Sequence, residues 1–63
     1  MSGAKLYGFV LPASDGSRLA FLHARGQVVS EHVEEGADGD GDGPIVRLQV
    51  WLSERELGRF TAL

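Results

Sequence analysis

Alternating aspartates near the middle of the chain have the spacing of a metal-binding loop. Asp38, Asp40 and Asp42 are each separated by one glycine, and Gly43 follows them. This is the first half of a calcium loop, in which alternate carboxylates ligate the ion and a glycine allows a sharp turn. The twelfth position of such a loop needs a bidentate glutamate, and here it is Gln49. We therefore predict no calcium site, because alternating Asp and Gly residues also form a polar turn without a metal.

Two histidines and a few small polar residues are the other candidates for chemistry. His23 and His32 have no carboxylate at the spacing of a catalytic or metal motif, and either role needs at least one more convergent group. Ser14, Asp15 and Ser17 are not surrounded by a nucleophile elbow, so helix capping explains them more simply. The chain has no cysteine and therefore no thiolate nucleophile or ligand. We predict no catalytic, cofactor or metal site, and no enzyme activity in this chain alone.

The length and charge of the chain exclude further classes of function. A domain of 63 residues buries only about 60% of its unfolded surface, so a closed substrate pocket would consume most of its core. The net charge of −3 argues against neutralising a DNA backbone. The apolar runs are too short to span a bilayer, so no membrane partner is expected.

The first half of the chain predicts a strand followed by a helix. Residues 5–11 are rich in aromatic and β-branched side chains, which favour a strand. Either Ser14 or Asp15 can cap the helix that follows. Gly26 comes directly after Arg25 and is placed as the glycine that commonly ends a helix at position C′.

The second half predicts two strands, a loop and a closing helix. Residues 27–35 favour a strand whose apolar positions do not alternate cleanly, as a bulge or frayed edge would cause. Residues 36–44 form a flexible Gly/Asp hairpin loop, and residues 45–52 alternate with a period of two, the clearest strand signal in the chain. Ser53 and Glu56 have the spacing of a capping box that begins the last helix.

This order, β-α-β-β-α, predicts an α+β fold of the split β-α-β type, a truncated ferredoxin-like arrangement. A right-handed crossover makes the first two strands parallel but not adjacent, with the third strand between them. Both helices then cover one face of a three-stranded antiparallel or mixed sheet. Residues 1–63 form a single domain, with residues 1–4 as a disordered start or a cloning remnant. The core set on the third strand is Val46, Leu48, Val50 and Leu52.

The opposite sheet face is the candidate functional surface. We expect Ile45, Arg47 and Trp51 on this face of the third strand, with Tyr7 and Phe9 beside them on the first strand. Exposed aromatics on such a sheet suit a protein interface, including a homodimer, since large exposed apolar patches usually mark one. Ordinary packing of a small domain and base stacking by an RNA-binding sheet are the alternatives.

Five segments in order carry a resemblance to a known family. They are Leu-Pro-Ala-Ser-Asp-Gly at 11–16, Leu-Ala-Phe-Leu-His-Ala-Arg-Gly at 19–26, Val-Val-Ser-Glu at 28–31, Val-Arg-Leu-Gln-Val at 46–50 and Leu-Gly-Arg-Phe at 57–60. Together they resemble the C-terminal domain of HflX-type GTPases, over nearly the whole chain.

The resemblance implies an accessory domain of a cytoplasmic, translation-factor-class GTPase that binds the large ribosomal subunit. GTP and Mg²⁺ would bind in the parent's G domain, because this chain contains no Gly-x-x-x-x-Gly-Lys-Ser/Thr phosphate loop. The domain would then contribute docking on the large ribosomal subunit or on the parent G domain. The alternative from another class is a free-standing protein-interaction or dimerisation module using the open sheet face, with a small RNA-binding domain as a third interpretation.

Overall fold

The computed structural model describes residues 3–35 and 43–63, in the predicted order β-α-β-β-α. Strand β1 extends one residue beyond its predicted end, to Pro12, and β2 ends one residue before its predicted end. Most of the predicted 36–44 loop lies outside the described residues. The elements are β1 (Lys5–Pro12), α1 (Gly16–Arg25), β2 (Gln27–Glu34), β3 (Ile45–Leu52) and α2 (Glu54–Thr61).

The three strands form one antiparallel sheet in the order β1-β3-β2. Both outer strands pair antiparallel with β3, so β1 and β2 run parallel to each other without touching, as the crossover argument predicted. The β2–β3 register shifts between Val28 and Ser30, which is the irregularity that the uneven apolar pattern of β2 indicated. The α+β fold is consistent with a truncated ferredoxin-like arrangement.

Strand β3 supplies most of the core, as its period of two predicted. Alternate residues of this strand are buried and face the two helices. Helix α1 contributes Leu22, helix α2 contributes Phe60, and β1 contributes Leu11 to the same cluster. The β3 members are the four predicted ones, Val46, Leu48, Val50 and Leu52.

Each helix begins at a side-chain cap. Asp15, and not Ser14, caps α1, because its Oδ1 accepts a hydrogen bond from Arg18 N at 3.3 Å. Ser53 Oγ accepts from Glu56 N at 3.2 Å and caps α2. Glu56 Oε1 is buried without a hydrogen-bond partner, so this atom does not make the return bond of a complete capping box.

Gly26 ends α1 for a reason that differs from the predicted one. Its φ of −116° and ψ of 179° are extended, whereas a C′ glycine adopts the left-handed region. A β carbon at this position would lie 2.5 Å from Val50 Cγ1 and 2.9 Å from Leu52 Cδ2. Glycine is therefore needed here because the end of α1 passes directly over β3.

The predicted placement of Tyr7 and Phe9 on the open sheet face is wrong. In the β1–β3 ladder Tyr7 lies opposite Val50 and Phe9 opposite Leu48, and directly opposite residues of an antiparallel pair share a face. Both aromatics therefore face the helices and pack against the core. The pattern of β1 could not decide this, because both of its alternating sets are apolar and a shift of one residue exchanges the two faces.

Candidate functional site: the open face of the sheet

The face of the sheet that points away from both helices is the candidate functional site, and we call it the open sheet face. The helices pack on the other face, against the buried residues of β3. The register assigns alternate residues of each strand to the open sheet face. Its central members are Leu6, Gly8 and Val10 from β1, Ser30 and His32 from β2, and Arg47, Gln49 and Trp51 from β3.

Three large apolar side chains are exposed on this face. Leu6, Val10 and Trp51 are 44%, 55% and 43% exposed, respectively. Leu6 lies directly opposite Trp51 in the β1–β3 ladder, so these two side chains form one continuous apolar patch. Among the residues that the structure describes, none of the helical ones belongs to this side of the sheet.

A depression lies beside this patch, where β1 carries Gly8. The ladder passes through Gly8 without a register shift, opposite Gln49, and a β carbon on Gly8 would meet nothing within 4 Å. The concavity has a volume of about 360 Å³ and is open to solvent. Its walls include Val10 and Arg47, with Ser30 and His32 on the β2 side. A glycine inside a strand often marks a bulge or a close approach by another molecule, and no bulge is present here.

The polar groups of the open sheet face are balanced in charge. Arg47 Nε donates to Glu34 Oε2 at 2.9 Å, which pairs the guanidinium with a carboxylate on the neighbouring strand. Ser30 Oγ donates to Gln49 Oε1 at 3.3 Å. Because the arginine charge is already paired, this face offers no excess positive charge to a nucleic-acid backbone.

The structure brings together some of the predicted site residues and separates others. Arg47 and Trp51 lie on the open sheet face, and Ile45 lies on it at the end of β3, opposite Pro12 and Glu34. Tyr7 and Phe9 lie on the helix side. Their place on the open face is taken by Leu6, Gly8 and Val10, which the sequence reasoning missed. The sequence shows that Leu6, Gly8 and Val10 alternate with the aromatic residues and so share one face of β1. The register with β3 is needed to decide which of the two alternating sets is buried.

The two histidines lie apart from each other, His23 on α1 and His32 on the open sheet face of β2. His23 Nε2 lies 3.1 Å from Glu31 Oε1 as an exposed pair between α1 and β2. Within residues 3–35 and 43–63, no group of three or more His, Cys, Asp or Glu side chains could bind a metal ion. The predicted absence of a calcium site at Asp38, Asp40 and Asp42 concerns residues outside the described ranges. No helix in the described part of the chain is long and apolar enough to cross a membrane.

Comparison of the chain with models of protein families, with curated proteins and with solved structures finds no match.

Proposed function

We propose that this chain is a non-catalytic accessory domain that docks on a protein partner through the open sheet face. One observation carries the proposal: Trp51 and Leu6 form an exposed apolar patch beside the depression at Gly8, on the face that neither helix covers. Tryptophan buries roughly 150–250 Å² when it is covered and is enriched among the residues that dominate binding energy.

The shape of the face favours a protein surface as the partner. The apolar patch protrudes beside the depression at Gly8. A partner surface can be complementary to both, with a side chain that fills the depression. The Gly8 position carries the entropic cost of a glycine inside a strand, about 0.5–1 kcal/mol, although nothing within 4 Å would obstruct a side chain there. A partner group that enters the recess would account for this cost.

Charge and aromatic content argue against RNA as the partner. A base-stacking sheet needs several aromatic side chains on its open face and positive charge along the backbone path. Tyr7 and Phe9 lie on the helix side, so Trp51 is the aromatic residue that remains on the described open face. Arg47 is paired with Glu34. Docking on a protein surface needs neither feature.

The resemblance to HflX-type GTPases supplies the more specific form of the proposal. In that form the domain acts in the cytoplasm, its partner is the parent G domain or a protein of the large ribosomal subunit, and GTP and Mg²⁺ bind in the G domain. A docking role for this chain, and the absence of a phosphate loop from its sequence, agree with nucleotide binding by a separate G domain.

Two strand valines on opposite faces provide the test. Val10 is 55% exposed on the open sheet face, and Val33 is 67% exposed on the helix side of β2, opposite Val46. The chain and its Val10→Asp and Val33→Asp variants are titrated against purified large ribosomal subunits and against a separately produced HflX-type G domain. We expect Val10→Asp to weaken binding by about tenfold or more, since it replaces an apolar contact in the interface by a negative charge that must be desolvated, and Val33→Asp to leave it unchanged.

Two results would contradict different parts of the proposal. Equal losses in the Val10→Asp and Val33→Asp variants would exclude the open sheet face as the docking surface. Failure of the unmodified chain to bind either probe would exclude both partners that the resemblance implies.

A further inference from the structure

The two edges of the sheet differ in how they are protected against pairing with another strand. The β2 edge has a register irregularity at Val28/Ser30, and Glu31, His32 and Glu34 give it charged or ionisable side chains. Bulges and charges are the usual means by which proteins prevent edge-to-edge pairing. The β1 edge has no bulge, since its ladder with β3 is regular over all of Lys5–Pro12. Its lysine and its proline, which also discourage pairing, are the first and last residues of the strand, so the stretch between them is regular and uncharged. No described strand lies beside this edge.

The backbone groups that β1 presents at this edge follow from one hydrogen bond. Ala13 N donates to Pro44 O at 2.9 Å, directly beyond the last pair of the β1–β3 ladder. Because backbone groups alternate in direction along a strand, the odd-numbered residues of β1 bond to β3. Leu6, Gly8 and Val10 then direct their N–H and C=O groups outward. Pro12 fits this assignment, because a proline in a sheet is tolerated where the missing N–H would face away from the ladder.

We propose that this edge pairs with β1 of a second copy of the chain, antiparallel and with the two-fold axis at Gly8, to give a continuous six-stranded sheet. This proposal goes beyond the docking function, because it uses the edge of the sheet and leaves the assignment of the open face to a different partner. Symmetric pairing of one strand with itself is the geometry that a closed dimer requires.

The residues of β1 are complementary to themselves in this register. Gly8 lies opposite Gly8 of the second copy, and Leu6 lies opposite Val10. Residues whose backbone N–H and C=O groups point out of the sheet edge therefore meet and exchange hydrogen bonds. Tyr7 lies opposite Phe9 on the helix side, an aromatic pair of the kind that stabilises sheets. Lys5 lies opposite Leu11, so no like charges face each other.

The two neighbouring symmetric registers are less favourable. With the axis at Tyr7, Val10 would lie opposite Ala4, which precedes β1. With the axis at Phe9, Leu6 would lie opposite Pro12, which has no N–H to donate. The axis at Gly8 pairs all three outward-directed residues with one another. An axis between two residues would place helix-side residues opposite open-face residues, which a sheet with one buried face does not tolerate.

Disulfide cross-linking tests this register directly, because the chain contains no cysteine. Gly8→Cys places the new thiols opposite each other at the two-fold axis, where the expected Cα–Cα distance of about 5.5 Å suits a disulfide. Gly58→Cys on α2 is the matched control, since a β carbon meets nothing within 4 Å at either position. We expect Gly8→Cys to form the covalent dimer about tenfold faster at sub-millimolar concentration, because pairing raises the effective thiol concentration.

A mixing experiment distinguishes the register from nonspecific association. Leu6→Cys and Val10→Cys should cross-link quickly when mixed, and slowly when each is alone, since Leu6 of one copy lies opposite Val10 of the other. Sedimentation of the unmodified chain at about millimolar concentration should give the mass of a dimer. The proposal requires that backbone pairing along β1 outweighs the cost of association at this concentration. A monomer mass, equal cross-linking rates at positions 8 and 58, or fast self-cross-linking at position 6 or 10 would each overturn the proposal.

Discussion

The ring centroids of Phe9 on β1 and Phe60 on α2 lie 4.9 Å apart, and the two ring planes are tilted by 59° to each other. This contact joins the first strand to the last helix through the core. It agrees with the register of β1, in which Tyr7 and Phe9 lie on the helix side and Leu6, Gly8 and Val10 form part of the open sheet face.

Replacing Phe9 and Trp51 should separate stability from surface function. Phe9→Ala removes a half-buried ring that packs against Phe60 and should lower the free energy of unfolding by roughly 3 kcal/mol. Trp51→Ala, on the open face, should cost about 1 kcal/mol from cross-strand contacts. Denaturant melts of both variants measure the difference, with Leu48→Ala as a core reference. A larger loss for Trp51→Ala than for Phe9→Ala would contradict the placement of Phe9 on the helix side and of Trp51 on the open sheet face.

Gly26 and Gly58 provide a second matched pair. Gly26→Ala brings a β carbon to 2.5 Å from Val50 Cγ1 and should destabilise the domain by about 1–3 kcal/mol through overpacking. Gly58→Ala meets open space on α2 and should stabilise it by about 0.5–1 kcal/mol through helix propensity. Thermal melts should therefore shift in opposite directions. A stabilising Gly26→Ala would mean that α1 does not pass this close to β3.

The cap of α1 can be tested with adjacent residues. Asp15→Ala removes the acceptor for Arg18 N and should cost about 1 kcal/mol, whereas Ser14→Ala should cost little because its side chain does not cap the helix. Asp15→Asn should recover most of the loss, since the amide oxygen can still accept the bond. Urea unfolding midpoints provide the measurement. Equal effects at positions 14 and 15 would show that the cap is not specific to Asp15.

The isolated chain should not bind GTP. The sequence has no phosphate loop, and its only lysine, Lys5, is the first residue of β1 and does not follow a glycine-rich turn. Calorimetric titration with GTP and Mg²⁺ should show no saturable heat. A micromolar dissociation constant would show that a nucleotide site exists outside the known motif and would contradict the accessory role.

The sequence predicts the fold better than it predicts the functional surface. The strict period of two in β3 identified the core residues Val46, Leu48, Val50 and Leu52, because only one set of alternate positions in that strand is uniformly apolar. In β1 both sets are apolar, so no local pattern states which set is buried, and the register with β3 decides it.

Glycine positions show a similar limit. A glycine after a helix can serve a left-handed turn or a close approach, and the sequence does not distinguish these two uses at Gly26. The depression at Gly8 is equally invisible from the sequence, because it depends on Arg47 of β3 and Ser30 of β2 lying on the same face of the sheet as Gly8.

The most direct test of the proposed docking role compares stability and binding in one variant, Trp51→Ala. We expect a free energy of unfolding within about 1 kcal/mol of that of the unmodified chain. We also expect the dissociation constant, measured against large ribosomal subunits and the HflX-type G domain, to rise about 30-fold, which corresponds to about 2 kcal/mol for a central tryptophan. Unchanged stability together with unchanged affinity for a partner that does bind would show that the open sheet face has no role in docking.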